Sequence, residues 1–345
     1  MPFDFGGLSL IELFVIMAAA GALVWFAGSR LAGLVDEIAK RSGLGQAFAG
    51  MLLLGGITSL PEMATASTAS LLGNPLLSIN DLLGSSSINI LLLAVGDIFY
   101  GRKALTSQAS KPAPLIQGVL GMILMATVAI AILVEDWSIP VLGTGVMSLV
   151  LALGCLQALR ISNRFEHRNS WQVSGQTPPD HEDIRKSDVS NLKLGALTLA
   201  AAAAILIGGA TLAFSGDAIA EKSGLGASIV GFALVGLCTS LPELSSVVGA
   251  LRLRRYQLAL GDVFGTNLFN VQIIFIADLF YRGGPVLNEA GAFEVAAAIL
   301  SIIMTGIFVV GMLERRDRTI WRLGLDSGLA LLVFACGLAG LATLA

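Results

Sequence analysis

The chain has 345 residues; 55% are hydrophobic, 13% are charged, and 21 Lys and Arg stand against 24 Asp and Glu. Soluble domains carry about 25% charged residues, so this composition excludes a water-soluble globule, a disordered chain and a nucleic-acid binder. One membrane span needs about 20 apolar residues, and the length admits roughly ten.

Ten apolar segments are predicted in chain order, at about 8–30, 45–72, 77–99, 114–134, 139–160, 193–215, 225–251, 257–280, 291–312 and 323–344. The first lacks the basic start and cleavage site of a signal peptide and is expected to be retained. The one long polar stretch, 161–192, holds both histidines, His167 and His181. It is read as a cytoplasmic linker between a first five-helix unit, 1–160, and a second, 193–345. Cys155, Cys238 and Cys336 lie in apolar runs without CxxC spacing, which indicates neither a disulfide framework nor a zinc site.

The few cations are placed unevenly. With the N-terminus outside, nineteen of the 21 fall on inner loops, Arg30, Lys40, Arg41, Arg254 and Arg255 among them, and only Lys222 and Arg282 fall outside. The positive-inside rule then predicts ten spans with both termini outside.

Two segments match without gaps at an offset of 181 residues. SGLG at 42–45 matches 223–226, and TSLPE at 58–62 matches 239–243. Asp81, Gly84, Asn89 and Asp97 match Asp262, Gly265, Asn270 and Asp278. Five helices per unit is an odd number, so the second copy enters the membrane inverted. The fold expected is an all-α integral membrane protein of ten transmembrane helices in two inverted five-helix repeats. Such repeats are a signature of secondary transporters, with the site near mid-membrane where the repeats meet.

Glu62 and Glu243 lie within apolar helices, where a carboxylate costs several kcal/mol unless it is partnered. No Lys or Arg falls inside the predicted membrane core, so a bound cation or a proton must neutralise them. Two facing carboxylates favour a hard cation held by oxygens. Pro61 and Pro242 lack an N–H and free the carbonyls of Ile57 and Cys238. Gly55 and Gly236 loosen the same turns. Thr58, Ser59, Thr239 and Ser240 add hydroxyl oxygens. In the next helix of each repeat, Asp81, Ser85 and Asn89, and equally Asp262, Thr266 and Asn270, share one helical face. Gly84 and Gly265 permit a close neighbour. Asp81 and Asp262 suit either coordination or a mouth and capping role. Asp97 and Asp278 are expected to be structural, and Glu12 and Glu294 are unassigned.

At these residues the chain resembles the cation/calcium exchanger superfamily, in particular prokaryotic sodium/calcium exchangers. Their two alpha repeats read like GTSLPE followed by GNxxGSNxxN. Here the motifs are GITSLPE with NDLLGSSSIN, within about 50–95, and GLCTSLPE with GDVFGTNLFN, within about 231–276. The resemblance implies a sodium/calcium antiporter of the plasma (inner) membrane that extrudes calcium by alternating access, with no cofactor. It implies Glu62 and Glu243 as main calcium ligands, with calcium contact from the Thr58 and Thr239 carbonyls. Sodium ligands would come from Ser59, Ser240, Ser85, Thr266 and the backbone at Gly55 and Gly236, with Asn89 and Asn270 at further central positions. It also implies that helices 8–30 and 193–215 slide as a gate. The chain departs from the pattern at Asn80-Asp81, Ser86 and Asp262.

The nearest rival is calcium/proton exchange through the same carboxylates. A passive cation channel is a further rival. An intramembrane enzyme is disfavoured, because both histidines sit in the linker and Gly261-Asp262 lacks the preceding glycine of a GxGD motif.

Overall fold

The computed structural model describes residues 5, 7–100, 103–108, 112–140, 143–166, 189–223, 230–317, 319–320 and 323–344. His167, His181, most of the 161–192 stretch and the second glycine-rich match at 224–226 lie outside the described residues. The described chain is helical in every one of the ten apolar segments. In order these are α1 (Leu10–Ser42), α2 (Gln46–Thr58), α3 (Leu60–Leu71), α4 (Pro75–Tyr100), α5 (Ala113–Leu133) and α6 (Val146–Glu166). Then follow α7 (Asn191–Ser223), α8 (Val230–Val235 with Gly236–Thr239), α9 (Leu241–Arg252), α10 (Tyr256–Phe280), α11 (Ala292–Glu314) and α12 (Leu325–Leu341). Among the described residues, seven helices are long and apolar enough to cross a membrane, or eight if the bent pair α2–α3 counts as one span. The protein is therefore an all-α, multi-span membrane fold.

Among the described residues, two short β-hairpins interrupt the helical pattern. Ser138–Ile139 pairs antiparallel with Thr144–Gly145, and Thr319–Ile320 pairs with Leu323–Gly324. Each hairpin turns the chain directly into the final helix of its half.

α1 is longer than its apolar run. It spans 33 residues, about 50 Å of helix. Past residue 30 the i,i+4 pairs Asp36–Lys40 and Glu37–Arg41 continue it beyond the hydrophobic stretch. Arg30, Lys40 and Arg41, expected on a loop, are thus on helix α1. Its start is a capping box: Ser9 Oγ accepts from the Glu12 N–H, and the Glu12 carboxylate accepts from the Ser9 N–H at 2.8 Å. Glu12 therefore has a local structural role.

Burial separates a centre from a rim. In α4, 83% of the most apolar window is buried inside the protein, against 17% in α1. Phe14, Phe26, Leu199 and Ile207 on α1 and α7 point outward, as expected of side chains meeting lipid. α1 and α7 pack side by side, and each leans on the other half's broken helix. A Cβ at Gly28 would stand 3.1 Å from the Pro242 carbonyl, and one at Gly209 would strike the Pro61 ring. Gly28 and Gly209 are themselves 181 residues apart, so the internal match extends to packing.

Asp97 and Asp278 act as fasteners for these halves. Asp97 accepts from the N–H of Leu105 (2.8 Å), the N–H of Gly324 (2.7 Å) and the Ser327 hydroxyl (2.9 Å). Asp278 accepts from the N–H of Val286 (2.7 Å), the N–H of Gly145 (2.6 Å) and the Ser148 hydroxyl. Each ties the end of its central helix to the hairpin and last helix of the opposite half. The structural role expected of both is what the bonds show.

Candidate ion-binding site

The site begins with two interrupted helices. A π-helical turn, Gly50–Leu54, precedes Gly55–Thr58, and the helix then breaks at Ser59 (φ −76°, ψ 0°) and bends by 44° into α3. Pro61 sits in the first turn of α3, where its missing N–H costs nothing but the preceding turn cannot close normally. The second copy repeats this: a π turn at Val230–Val235, Gly236–Thr239, and a break at Ser240 (φ −83°, ψ 3°) before Pro242. The Ser59 and Ser240 N–H groups donate to the carbonyls of Gly55 and Gly236, both at 3.1 Å.

Each interrupted helix then crosses the central helix of the other repeat. A Cβ on Gly55 would lie 2.8 Å from the Thr266 nitrogen, and one on Gly236 would lie 3.0 Å from the Ser85 nitrogen. Gly84 is pressed against the Phe232 carbonyl and Gly265 against Met51. The glycines read as loosening the helices therefore permit backbone contact, which brings polar side chains from both repeats together. Thr58 Oγ1 meets Thr266 Oγ1 at 3.4 Å, and Thr239 Oγ1 meets Ser85 Oγ at 3.1 Å. These are one contact and its 181-residue image.

Around this crossing, Glu62, Glu243, Thr58, Thr239, Ser59, Ser240, Ser85, Thr266, Asn89 and Asn270 are all buried, as are Gly55 and Gly236. Glu62 lies within electrostatic range of Glu243 and Asp81, and Glu243 within range of Asp262 and Asp81. The Thr239 hydroxyl stands beside Glu62, and the Thr58 hydroxyl beside Glu243. Yet no carboxylate oxygen of either glutamate has a hydrogen-bond partner among the described residues. One oxygen each of Asp81, Asp262, Asn89 and Asn270, and the Ser240 hydroxyl, are equally unpartnered. An unmade bond on a buried polar atom costs about 1–3 kcal/mol, more for a charged one. The unpartnered atoms at this crossing are all oxygens, the donor set of a hard cation. The ion pairs among the described residues lie elsewhere, at Asp36 and Glu37. No three His, Cys, Asp or Glu side chains among the described residues converge tightly enough to hold a metal alone. Hydroxyl, amide and carbonyl oxygens must therefore complete any coordination sphere.

Asn267 and Ser246 are not singled out by the sequence, and Asn80 and Glu294 have no assigned role there. Asn267 accepts from Asn89 at 3.1 Å and donates to the Ser86 carbonyl at 3.0 Å, which joins the two central helices. Ser246, one turn past Glu243, donates to Asp262. Asn80 donates to Glu294 at 2.8 Å, and Glu294 also accepts from the N–H of Gly291 at 2.7 Å, which gives that carboxylate a packing and capping role. At the paired positions Asn267 corresponds to Ser86, Asn80 to Gly261 and Glu294 to Ala113, none of them alike, whereas Ser246 corresponds to another hydroxyl, Thr65. Asn267, Asn80 and Glu294 therefore carry no repeat signal. In the first repeat, the Glu166 carboxylate accepts from the N–H groups of Ala47 (3.2 Å) and Phe48 (2.6 Å) and caps the start of α2.

The chain matches the family described as sodium/calcium exchanger protein over residues 12–158 and 193–344, which bracket the polar stretch. Inner membrane protein YrbG of Escherichia coli is 25% identical over 255 residues, 73% of this chain and 74% of that protein. CaxA of Alkalimonas amylolytica is 24% identical over 320 residues, 90% and 93% of the two chains. The sodium-calcium exchanger NCX_Mj, soaked with 2.5 mM Na+ and 0.1 mM Sr2+, shares the fold. Its TM-score is 0.71 at 18% identity, covering 96% of this chain and 99% of that one. With both halves of the chain matched, the protein belongs to the sodium/calcium exchanger family.

Proposed function

We propose that the protein is a secondary antiporter that lets sodium in down its gradient to drive calcium out, with Glu62 and Glu243 as the ligands both ions share. The observation that carries this is the pair of fully buried glutamates whose four carboxylate oxygens have no partner among the described residues. Thr58 and Thr239 would offer carbonyls to calcium. Ser59, Ser240, Ser85, Thr266, Gly55 and Gly236 would complete sodium positions, with Asn89 and Asn270 beside them. Calcium and sodium occupy the site in turn, because each needs the same two carboxylates. A loaded site masks those charges and can switch sides. An empty one leaves anions in low dielectric and resists switching, which discourages leak.

In this reading residues 1–160 and 193–345 form five-span repeats of opposite orientation. Together they give ten spans with both termini outside and 161–192 in the cytoplasm. The clustering of nineteen of the 21 cations at alternate ends of the apolar segments supports it. The broken α8–α9 pair and the 17-residue α12 would complete the spans that length alone does not identify.

The test is calcium flux in proteoliposomes under sodium, proton and potassium gradients imposed one at a time. Flux driven by sodium alone is expected. Flux driven by a pH gradient alone would replace sodium with protons as the coupling ion. Ion conductance without counter-transport would contradict exchange altogether.

A further inference from the structure

Asp81 and Asp262 stand outside the ligand set proposed above, and their positions give them a distinct task. Each is fully buried, and each has one oxygen without a hydrogen-bond partner among the described residues, Oδ2 of Asp81 and Oδ1 of Asp262. The other oxygen is held: Asp81 Oδ1 accepts from Thr239 at 3.1 Å, and Asp262 Oδ2 accepts from Ser246. Both free oxygens thus belong to side chains anchored next to the central glutamates.

Their depth follows from counting along the helical hairpins. In the first repeat, α3 ends at Leu71 and α4 starts at Pro75. Asp81 is six residues from that turn, about 9 Å along the helix, whereas Glu62 is nine residues from it, about 14 Å. The second repeat has the same spacing: Asp262 is six residues from Tyr256, and Glu243 nine from Arg252. Each aspartate therefore lies about one turn closer to its own hairpin than the glutamate does. It also lies one turn from Ser85 or Thr266 on the same face. Because the repeats are inverted, the 72–74 turn and the 253–255 turn face opposite sides of the membrane.

We propose that Asp81 and Asp262 are entrance ligands for the transported cation, each serving one face of the membrane. An ion arriving past the 72–74 turn meets the free oxygen of Asp81 before Glu62. One arriving past the 253–255 turn meets Asp262 before Glu243. The carboxylate takes over part of the ion's hydration shell at the stage when the central ligands are not yet all in reach. This rests on the reading that Glu62 and Glu243 bind the cation.

The rival role for these aspartates is purely structural, holding Thr239 and Ser246 in place. Such a role would act on the central site and so affect both faces alike. The experiment measures sodium-driven radioactive calcium flux in right-side-out and inverted membrane vesicles containing the full chain, with calcium varied at the exposed face. Asp81→Asn should raise the half-saturating calcium about tenfold at the face of residues 72–74 and less than about twofold at the other. Asp262→Asn should do the reverse. If Asp81→Asn does not reach the membrane, Asp81→Ser is read the same way, and Asp262→Asn carries the mirrored half on its own. Equal shifts at both faces, or none at either, would overturn the assignment. Native vesicles without sodium-driven flux would overturn the parent reading and this one with it, whereas normal native flux with symmetric variants overturns this one alone.

Discussion

Burying a carboxylate in an apolar helix is costly, and the acids of this protein meet that cost in two ways. Asp97 and Asp278 are saturated: three protein donors each, drawn from both halves. Asp97→Asn removes a charged acceptor and turns an amide NH2 toward N–H donors, which should cost about 2–4 kcal/mol. Thermal unfolding in detergent should show the loss, while half-saturating calcium in the surviving protein stays within about twofold. A selective loss of calcium affinity at unchanged stability would instead make Asp97 part of the site. Glu62 and Glu243 take the other course: among the described residues, none of their four oxygens has a hydrogen-bond partner. That contrast was partly legible in the sequence. Polar residues repeated at one offset inside apolar helices mark the site, because chance does not place them twice. What saturates Asp97 was not legible, since Gly324 and Ser327 lie more than two hundred residues away and are brought in by a two-residue hairpin.

At the scale of the element, the decisive feature is that interrupted helices run close to unbroken ones. Proline spacing foretold the interruption, because a ring without an N–H cannot close the preceding turn. It did not foretell the π turns before Gly55 and Gly236, which carry no residue signature of their own. The glycines there allow backbone to meet backbone. Gly55→Ala would put a methyl group 2.8 Å from the Thr266 nitrogen, and such overpacking costs about 1–3 kcal/mol. The helices must part, so sodium-driven calcium flux should fall at least about tenfold at equal protein level. Gly195→Ala is the control, because nothing lies within 4 Å of the added carbon, and it should leave flux unchanged. Native flux in Gly55→Ala would show that the crossing can widen without harm. The length of α1 is the element the apolar pattern misjudged: Asp36, Glu37, Lys40 and Arg41 look like a loop by composition, but their i,i+4 pairing extends the helix.

Over the whole molecule, the 181-residue match is a statement about architecture. It recurs in contacts no motif announces, Gly28 on Pro242 and Gly209 on Pro61, and these join the α1–α7 pair to the broken helices. If α1 and α7 slide together across the central helices, a bond between them is harmless and a bond from α1 to α9 is not. Ser29 and Gly249 approach closely, with a Cβ on Gly249 3.0 Å from the Ser29 Cα. In a chain without its three native cysteines, a Ser29→Cys, Gly249→Cys disulfide should stop calcium flux, and reductant should restore it. A Val24→Cys, Gly208→Cys bond between α1 and α7 should leave flux near native. Equal inhibition by both would contradict a sliding pair. The buried Asp36–Arg255 ion pair, 2.8 Å, must also break if α1 moves past the 253–255 turn. The sequence placed Arg255 on an inner loop; packing of α1 against α9 is what buries it.

All of this depends on Glu62 and Glu243 holding the transported ion together. The most direct test is sodium-driven radioactive calcium uptake into proteoliposomes by the native chain, by Glu62→Gln and by Glu243→Gln, each matched for protein and checked for a folded elution profile. Glutamine keeps the shape and removes the charge. Either substitution alone should lower uptake at least about a hundredfold, because neither carboxylate can hold a divalent ion without the other. Native-like uptake by either well-folded variant would contradict it.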